Sequence, residues 1–294
     1  MNFSKSGRRW SVCTISFFYV LFAWFLPAIA QEKAEEPKPA VAEAPKPSAT
    51  VAADVLNQYI FRGVALSRGD APVLQPSIAA SYLGFTLNVW GNLDTRQSTN
   101  NPFLPVSAGG FVKNDKNARW NETDITLSYS RELFKNFTAT AGTTYYQLSN
   151  ARFDAYELYG GIGYAFPWFT VAFTSYKEVT HTPGWWMQLD ITKSIPIPCY
   201  EGMSLDLGAS FGYQIFEDTD TALNLNGDLG DYSELHSATL QAALKIPVYK
   251  NVTVAPKVGV ALPLSSAASR FIEANSWDRQ DIHVFGGLNI TASF

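Results

Sequence analysis

The chain has 294 residues and a formal net charge of −4; 47% of its residues are hydrophobic and 16% are charged. An acidic chain without clusters of Lys and Arg is a poor partner for nucleic acid, which excludes that class of function. Only one cysteine, Cys199, follows the first thirty residues, so we expect neither an intramolecular disulfide nor a cysteine metal cluster.

Residues 1–30 have the organisation of a Sec-type signal peptide. Lys5, Arg8 and Arg9 form a positive n-region, and an apolar run over 11–26 leads to the small residues of a cleavage site. An uncleaved anchor is the alternative, because the apolar run is nearly long enough to span a bilayer. We expect cleavage, which would lower the formal charge from −4 to about −7.

Residues 31–50 read QEKAEEPKPAVAEAPKPSAT and are rich in Pro, Lys and Glu. This composition cannot bury a core, which indicates a flexible or polyproline-like tether. The remaining residues, 51–294, are then the folded part of the chain.

The folded part repeats one unit, a segment of alternating character followed by a turn. In 203–216, MSLDLGASFGYQIF, every second residue from Leu205 is apolar or aromatic, and the residues between are small or polar. This period of two indicates a strand that lies between two different media. About twelve such segments begin near residues 51, 73, 85, 122, 137, 154, 168, 185, 203, 234, 251 and 281, and single-chain bacterial outer-membrane barrels have an even number of strands.

The connections between the segments alternate between short and long. The short ones are 83–84, 131–136, 165–167, 196–202 and 247–250, and the long ones are 94–119, 147–153, 177–184, 217–233 and 263–280. A soluble sandwich gives no reason for this alternation, whereas a barrel inserted from the periplasm has short periplasmic turns and longer outer loops. We therefore predict an all-β fold: a transmembrane up-and-down antiparallel β-barrel of about 12 strands, with short periplasmic turns and longer extracellular loops.

Aromatic residues cluster near both ends of the predicted strands, as expected for two girdles at the membrane–water interfaces. The predicted girdle at the short-turn side contains Tyr82, Phe85, Phe134, Phe137, Tyr164, Phe166, Trp168 and Tyr249. The predicted outer girdle contains Trp90, Trp120, Tyr145, Tyr146, Tyr176, Trp185 and Tyr232.

The segment 57–77 combines two Arg-Gly pairs with Asp70, which could indicate an anion-binding loop or the rim of a larger structure. Within the barrel hypothesis, Tyr59 and Phe61 are predicted to face lipid in the outer girdle. Arg62 is predicted to turn inward at the rim, and Ser67 to Ala71 to form the first outer loop.

The last strand ends at Phe294, with alternate apolar residues before it. A terminal aromatic on the lipid face resembles the signal that the barrel assembly machinery reads. Outer-membrane lipid and lipopolysaccharide are the expected surroundings of the outer face.

If the apolar face of each strand meets lipid, the other face lines the lumen. The predicted lumen residues are Arg62, Asn88, Asp124, Glu157, Gln188, Asp190, Asp206, Gln214, Lys245 and Lys257. The long connection 94–119 is a candidate constriction loop because it carries Arg96, Lys113, Lys116 and Arg119 opposite an acidic wall. Opposed charges tune ion selectivity in a pore, or else they pair across the lumen and stiffen it.

Other chemistry has weaker support. His181, His236 and His283 lie outside any serine-hydrolase motif, so no nucleophile–base pair can be named and we predict no enzyme. Asp218, Asp220, Asp228 and Asp231 could bind calcium, but their spacing does not follow an EF-hand loop. We predict no cofactor.

The first three predicted strands share a set of motif residues: Tyr59 to Val64, Pro72, Gln75, Gly84-Phe85, Val89 to Asn92, and Asp94. With these residues the chain resembles the TorF family of porin-type proteobacterial outer-membrane proteins. The pattern departs at Leu56-Asn57-Gln58. The resemblance implies an outer-membrane barrel with a pore function and names no substrate.

Three functions remain open from the sequence. The first is a channel in the outer membrane of a Gram-negative bacterium for passive diffusion of ions or small polar solutes. The second is a closed barrel whose outer loops or periplasmic tether bind a partner. The third, an outer-membrane enzyme, has the least support.

Overall fold

The computed structural model of the chain describes residues 46–69, 71–96, 118–149, 154–181, 183–198, 200–217 and 232–294. These residues form fourteen strands and one helix. The strands are β1 Ser48–Leu56, β2 Ile60–Phe61, β3 Val64–Ala65, β4 Val73–Tyr82, β5 Phe85–Asp94, β6 Arg119–Phe134, β7 Phe137–Leu148, β8 Ala155–Ala165, β9 Thr170–Glu178, β10 Gly184–Pro196, β11 Ser204–Phe216, β12 Ser233–Tyr249, β13 Val252–Pro263 and β14 His283–Ser293. The helix α1 is Ser266–Asn275.

Twelve of the strands form one closed barrel in the order β1-β14-β13-β12-β11-β10-β9-β8-β7-β6-β5-β4. Each strand pairs antiparallel with its neighbours in the chain, and β1 closes the ring by pairing with both β14 and β4. Asp54, for example, lies opposite Asn289 on one side and Gln75 on the other. The predicted up-and-down barrel of twelve strands is confirmed.

Two details differ from the sequence-based expectation. Strand β1 begins at Ser48, inside the segment 31–50 that was predicted to be tether. The alternation of connection lengths is also not strict, because the connection 179–183 at the long-loop end is shorter than 197–203 at the short-turn end.

The outer surface of the barrel carries the apolar side chains. On β10, Trp185, Leu189 and Ile191 are exposed, whereas Trp186, between them in sequence on the other face, is buried inside the barrel. A continuous set of exposed Val, Ile, Leu and Phe on a closed sheet is the surface that a transmembrane barrel presents to lipid. The alternation of the sequence therefore follows the pleat of the strands.

The short-turn end has the predicted aromatic girdle. Trp168 is 76% exposed and Tyr249 is 69% exposed. Phe134 stacks on Phe137 at 4.4 Å between ring centroids across one short turn. Exposed rings at this level fit an interface between hydrocarbon and water.

The long-loop end has only part of its predicted girdle. Trp120, Tyr145 and Trp185 are exposed on the outer surface as predicted. The assignment of the other outer-girdle residues to the lipid face was wrong: Trp90, Tyr146 and Tyr176 line the interior, and Tyr232 is buried against Phe216 and Phe271. An aromatic ring with a polar tip suits a wet interior as well as an interface, so its residue type does not indicate the face.

The tight turns of the short-turn end explain how consecutive strands are joined. Leu83 and Gly84 both have positive φ, 53° and 86°, which is the geometry of a two-residue turn whose twist matches that of the flanking strands. Glycine suits the second position because it adopts positive φ without steric cost.

The connection from β13 to β14 contains helix α1, which begins after Ser265; the Ser265 side chain accepts a hydrogen bond from the backbone N–H of Ala268. Ala268 and Ile272 are fully buried. Within the described residues, no helix is long and apolar enough to cross a membrane.

We predict that an arginine on the outer face of β10 costs more than one on the inner face. Ile191→Arg places a charge in the apolar surface midway along the strand, where the cost is about 2–4 kcal/mol in a bilayer. Thr192→Arg, the control, points its charge into the lumen beside Gly208. Urea unfolding in lipid vesicles, with heat-modifiable gel mobility as the measure of folded protein, compares the two. Equal losses would contradict the assignment of the outer face.

Candidate functional site

The chain folds into the barrel mouth directly after β1. Residues 57–69, which we call the mouth hairpin, contain the paired strands β2 and β3. The two residues between them, Arg62 and Gly63, have φ values of 49° and 88°. Positive φ at both positions is typical of the type I′ turn that closes a two-residue hairpin.

The mouth hairpin is held closed by its own polar groups. Backbone N–H of Leu66 donates to the carbonyl of Tyr59 at 2.8 Å, and N–H of Tyr59 donates to the Ser67 hydroxyl at 2.8 Å. Ser67 is nearly fully buried. Ser67 lies in the connection between β3 and β4, within the predicted outer loop, but its side chain packs inside the hairpin instead of facing solvent.

The mouth hairpin crosses the interior to the opposite wall. It leaves the barrel between β1 and β4, and Arg62 at its tip contacts Glu157 on β8, Tyr176 on β9 and Trp186 on β10. These strands lie on the far side of the ring from β1. The hairpin therefore spans the mouth of the barrel at its long-loop end.

Helix α1 and the residues after it support the mouth hairpin from one side. Backbone N–H of Ala65 donates to the Ser276 hydroxyl at 3.1 Å, and N–H of Trp277 donates to the Ala65 carbonyl at 3.0 Å. A Cβ on Gly63 would lie 2.8 Å from the Cβ of Ser237 and 3.0 Å from Cδ1 of Ile272. The turn thus packs tightly against both β12 and α1.

The Arg62 guanidinium forms a two-point ion pair with Glu157. Nη1 lies 2.8 Å from Oε1 and Nη2 lies 2.9 Å from Oε2. The Tyr146 hydroxyl donates to the same carboxylate, 2.8 Å from Oε2. Two parallel N–H···O bonds to a buried carboxylate are among the strongest polar contacts in proteins. The structure thereby supplies the partner that the sequence could not name.

Aromatic rings surround the same guanidinium. Cζ of Arg62 lies 4.8 Å from the ring centroid of Phe61, 5.5 Å from that of Tyr176 and 5.1 Å from that of Trp186. All three distances are within the range of cation–π attraction. We call the wall residues of this arrangement, Glu157, Tyr146, Tyr176 and Trp186, the guanidinium cage.

Tyr59 and Phe61 also point inward, so their predicted positions in the lipid-facing girdle were wrong. Tyr59 is 8% exposed, lies 5.5 Å from Trp90 between ring centroids, and donates its hydroxyl to Glu122 at 3.3 Å. Phe61 packs edge-on against Tyr146 at 6.3 Å. Both rings anchor the mouth hairpin to the inner wall.

A cavity of about 400 Å³ lies beside the mouth hairpin in the lumen. Its walls combine aromatic rings with polar groups of β6 and β7, and the cavity is lined by Tyr59, Phe61, Trp90, Asp124, Thr126, Thr144, Tyr146, Tyr159 and Tyr176. Oδ1 of Asp124 and Oδ1 of Asn88 are buried and have no hydrogen-bond partner among the described residues.

The other predicted lumen charges pair along the wall. Lys257 on β13 lies 2.6 Å from Asp54 on β1, and Lys245 on β12 lies 2.6 Å from Asp206 on the neighbouring strand. Gln188 donates to Asp190 at 2.9 Å within the same strand. Neither ion pair crosses the lumen, because each joins strands that are neighbours or next neighbours in the ring.

All ten predicted lumen residues lie on the inner side of the barrel wall or in its mouth. Arg62 lies in the mouth hairpin. The other nine alternate along their strands with exposed apolar residues and therefore face inward: Asn88, Asp124, Glu157, Gln188, Asp190, Asp206, Gln214, Lys245 and Lys257. Which of them a solute touches stays a prediction.

The predicted constriction loop is only partly described. Arg119 lies at the start of β6 opposite Asp94, and backbone N–H of Arg96 donates to Asp94 at 2.9 Å. Lys113 and Lys116 lie outside the described residues. Among the described residues, the mouth hairpin is the segment that spans the lumen, and no sequence pattern predicted it.

The groups considered for other chemistry have ordinary partners or lie outside the description. Nδ1 of His236 lies 2.6 Å from the Tyr232 hydroxyl, and Nε2 of His283 lies 3.1 Å from Asp278. Nδ1 of His181 lies 3.1 Å from the carbonyl of Asp154. The candidate calcium residues Asp218, Asp220, Asp228 and Asp231 lie outside the described residues, as does Cys199.

Comparison with known proteins gives a likeness of architecture. No family model and no curated protein matches the chain. The solved KdgM porin is 12% identical, with 83% of this chain and 99% of that chain covered and a TM-score of 0.47. The NanC porin is 10% identical over 84% and 98%, with a TM-score of 0.49. An outer membrane channel from Pseudomonas putida F1 is 9% identical over 89% and 100%, with a TM-score of 0.43.

At these identities the likeness concerns the barrel fold only, and a fold does not determine a function. The resemblance to the TorF family stays a prediction. What the chain does depends on the side chains of its own lumen.

We predict that Glu157→Gln loosens the mouth hairpin and leaves the barrel strands intact. Hydrogen bonds to charged groups contribute about 1.5–3 kcal/mol, so amide hydrogen exchange in 57–69 should accelerate by roughly tenfold or more. The control is Lys245→Gln, which breaks a more exposed ion pair and should leave exchange in 57–69 unchanged. Unchanged exchange in Glu157→Gln would show that the ion pair does not hold the hairpin.

We predict that a surface contact at the long-loop end is lost in acid. Asp154 accepts hydrogen bonds from the Tyr145 hydroxyl and, at 3.0 Å, from backbone N–H of Leu148, and these bonds hold the pKa of Asp154 below its ordinary range. A lowered carboxyl pKa stabilises the fold above the unfolded-state pKa, about 3.9, and this contribution disappears as the pH falls through the folded-state value. The difference in urea-unfolding midpoint between wild type and Asp154→Asn should therefore shrink from pH 6 to pH 3. A constant difference would contradict the assignment.

Proposed function

We propose that the chain is an outer-membrane porin-like channel for passive diffusion of ions or small polar solutes. The observation that carries this proposal is a polar, charged lumen that contains a cavity of about 400 Å³ beside the mouth hairpin. A barrel with a purely structural role needs no such interior. The outer face, with its apolar surface and aromatic girdle, supports a membrane location.

The proposed orientation follows from the connections. The short turns and both described chain ends lie at one end of the barrel, where Ala49 and Phe294 exchange backbone hydrogen bonds of 3.0 and 2.8 Å. This end is the periplasmic one in our proposal, with the signal peptide and tether preceding it. The mouth hairpin then lies at the extracellular end. Phe294 lies at the periplasmic end, where the barrel assembly machinery would bind it.

The proposed channel prefers cations. Acidic side chains are frequent on the described inner wall, and they include Asp54, Glu122, Asp124, Glu157, Asp190 and Asp206. Basic side chains of the same wall and its mouth include Arg62, Lys245 and Lys257. Among the described residues, no Lys or Arg forms an ion pair with Glu122, Asp124 or Asp190. Rings of acidic side chains favour cations in narrow pores.

The alternative is a closed barrel whose outer loops or tether bind a partner. The observation in its favour is the mouth hairpin, which spans the lumen and is tied to the far wall by Arg62. An enzyme has less support, because the described histidines bond to Tyr232, Asp278 and a backbone carbonyl rather than to a serine hydroxyl.

We predict a small, cation-selective conductance in planar bilayers. Replacing Asp190 and Asp206 together by Asn should move the reversal potential in a salt gradient toward zero, because both carboxylates lie on the inner wall. Glu201→Gln, which removes an exposed carboxylate in a short turn, is the matched control and should leave the reversal potential unchanged.

Two outcomes of this measurement count against the proposal. Folded wild-type protein that carries no current would favour the closed barrel. Current with an unchanged reversal potential in the double variant would remove the inner carboxylates from the conducting path.

A further inference from the structure

The tip of the mouth hairpin occupies a site on the barrel wall that has the chemistry of a ligand-binding pocket. The wall contributes the Glu157 carboxylate, oriented by the Tyr146 hydroxyl, and the rings of Tyr176 and Trp186. Glu157 is nearly fully buried, so its charge needs a cation in place. The hairpin supplies this cation as the Arg62 side chain.

The cage is built for a planar cation rather than for a point charge. Its carboxylate receives two parallel N–H donors, and its rings lie at cation–π distances from the guanidinium carbon. A planar guanidinium can donate two parallel hydrogen bonds to a carboxylate and stack on aromatic rings, whereas an ammonium is a compact charge without this planar pair of donors. The Lys257–Asp54 pair on the opposite side of the ring, in contrast, has no ring within cation–π distance among the described contacts.

The rings of the cage are themselves held in position by the wall. Trp186 donates its indole N–H to Gln188 at 2.9 Å and lies edge-on to His236 at 5.7 Å. A Cβ on Gly212 would lie 1.9 Å from the Trp186 ring, so the ring lies against bare backbone of the next strand. Tyr176 packs on Tyr159 at 5.2 Å. The cage would therefore persist without the hairpin.

Arg62 belongs to the mouth hairpin and not to the wall strands that form the cage. The hairpin leaves the wall at β1 and returns at β4, and its turn residues Arg62 and Gly63 both have positive φ, a conformation that Arg rarely adopts. The guanidinium is thus a tethered ligand, with which any free ligand has to compete for the cage.

We propose that the guanidinium cage is a binding site for guanidinium-bearing solutes such as arginine, and that such a solute takes the place of Arg62 and loosens the tip of the mouth hairpin. Displacement exchanges one Glu157 ion pair for another, so the buried carboxylate keeps a cationic partner. The tip of the hairpin is then no longer bonded to the far wall of the barrel. The inference rests on the proposed channel only for its consequence in transport, and binding can be measured without current.

The experiment measures binding of L-arginine and of L-citrulline, its neutral urea counterpart, to full-length folded barrels in detergent by calorimetry. Arg62→Ala empties the cage and should bind arginine at least tenfold more tightly than citrulline. The same protein carrying Glu157→Gln in addition should lose this preference. Lys257→Ala, the matched control, leaves Asp54 without its cation but offers no aromatic faces, and should acquire no arginine site.

A second measurement uses the wild-type chain, which avoids dependence on the folding of any variant. Millimolar arginine should accelerate amide exchange in 57–69, and citrulline at the same concentration should not. If arginine and citrulline act alike in both measurements, or if Arg62→Ala binds arginine no better than Lys257→Ala, the proposal is overturned. If the protein binds arginine selectively but carries no current, the proposed channel function is wrong and the proposed binding site is retained.

Discussion

Closure of the barrel between β1 and β14 is the constraint on which the rest of the structure depends. Hydrocarbon offers no partner to a backbone N–H or C=O, so a spanning sheet has to pair every edge. The pairing of β1 with both β14 and β4 meets this requirement. Once the sheet is closed, its two faces meet different media, and each side chain is assigned to lipid or lumen by its parity along the strand.

A closed interior has to satisfy its own charges, and the barrel does so in two ways. Near the wall, Lys245 with Asp206 and Lys257 with Asp54 pair between strands that are neighbours or next neighbours. At the mouth, the cation for Glu157 comes from across the lumen, carried by a hairpin. The first arrangement leaves the lumen free, whereas the second places part of the chain within it. The same electrostatic requirement is thus met by short pairs along the wall and by a hairpin that spans the mouth.

The sequence predicts the parts of the molecule that depend on local periodicity. The twelve strands, the short turns and the inner parity of residues such as Asp190 and Gln214 follow from the pleat, which repeats every two residues. The mouth hairpin could not be predicted in this way. Its Arg-Gly turn resembles the end of a strand, and the partner of Arg62 lies 95 residues away. Tyr59 and Trp90 were misassigned because a ring with a polar edge suits lipid interface and wet lumen equally.

The contact between Ala65 and the segment after α1 has a consequence for the order of assembly. The hydrogen bond from Ala65 to Ser276 joins residues separated by 211 positions, one next to the first barrel strand and the other next to the last. Contacts this remote in sequence are made late, after the intervening loop has been closed by other pairings. The support of the hairpin therefore depends on both ends of the barrel chain being in place. Closure of the wall and support of the hairpin across its mouth are thus coupled in one structure.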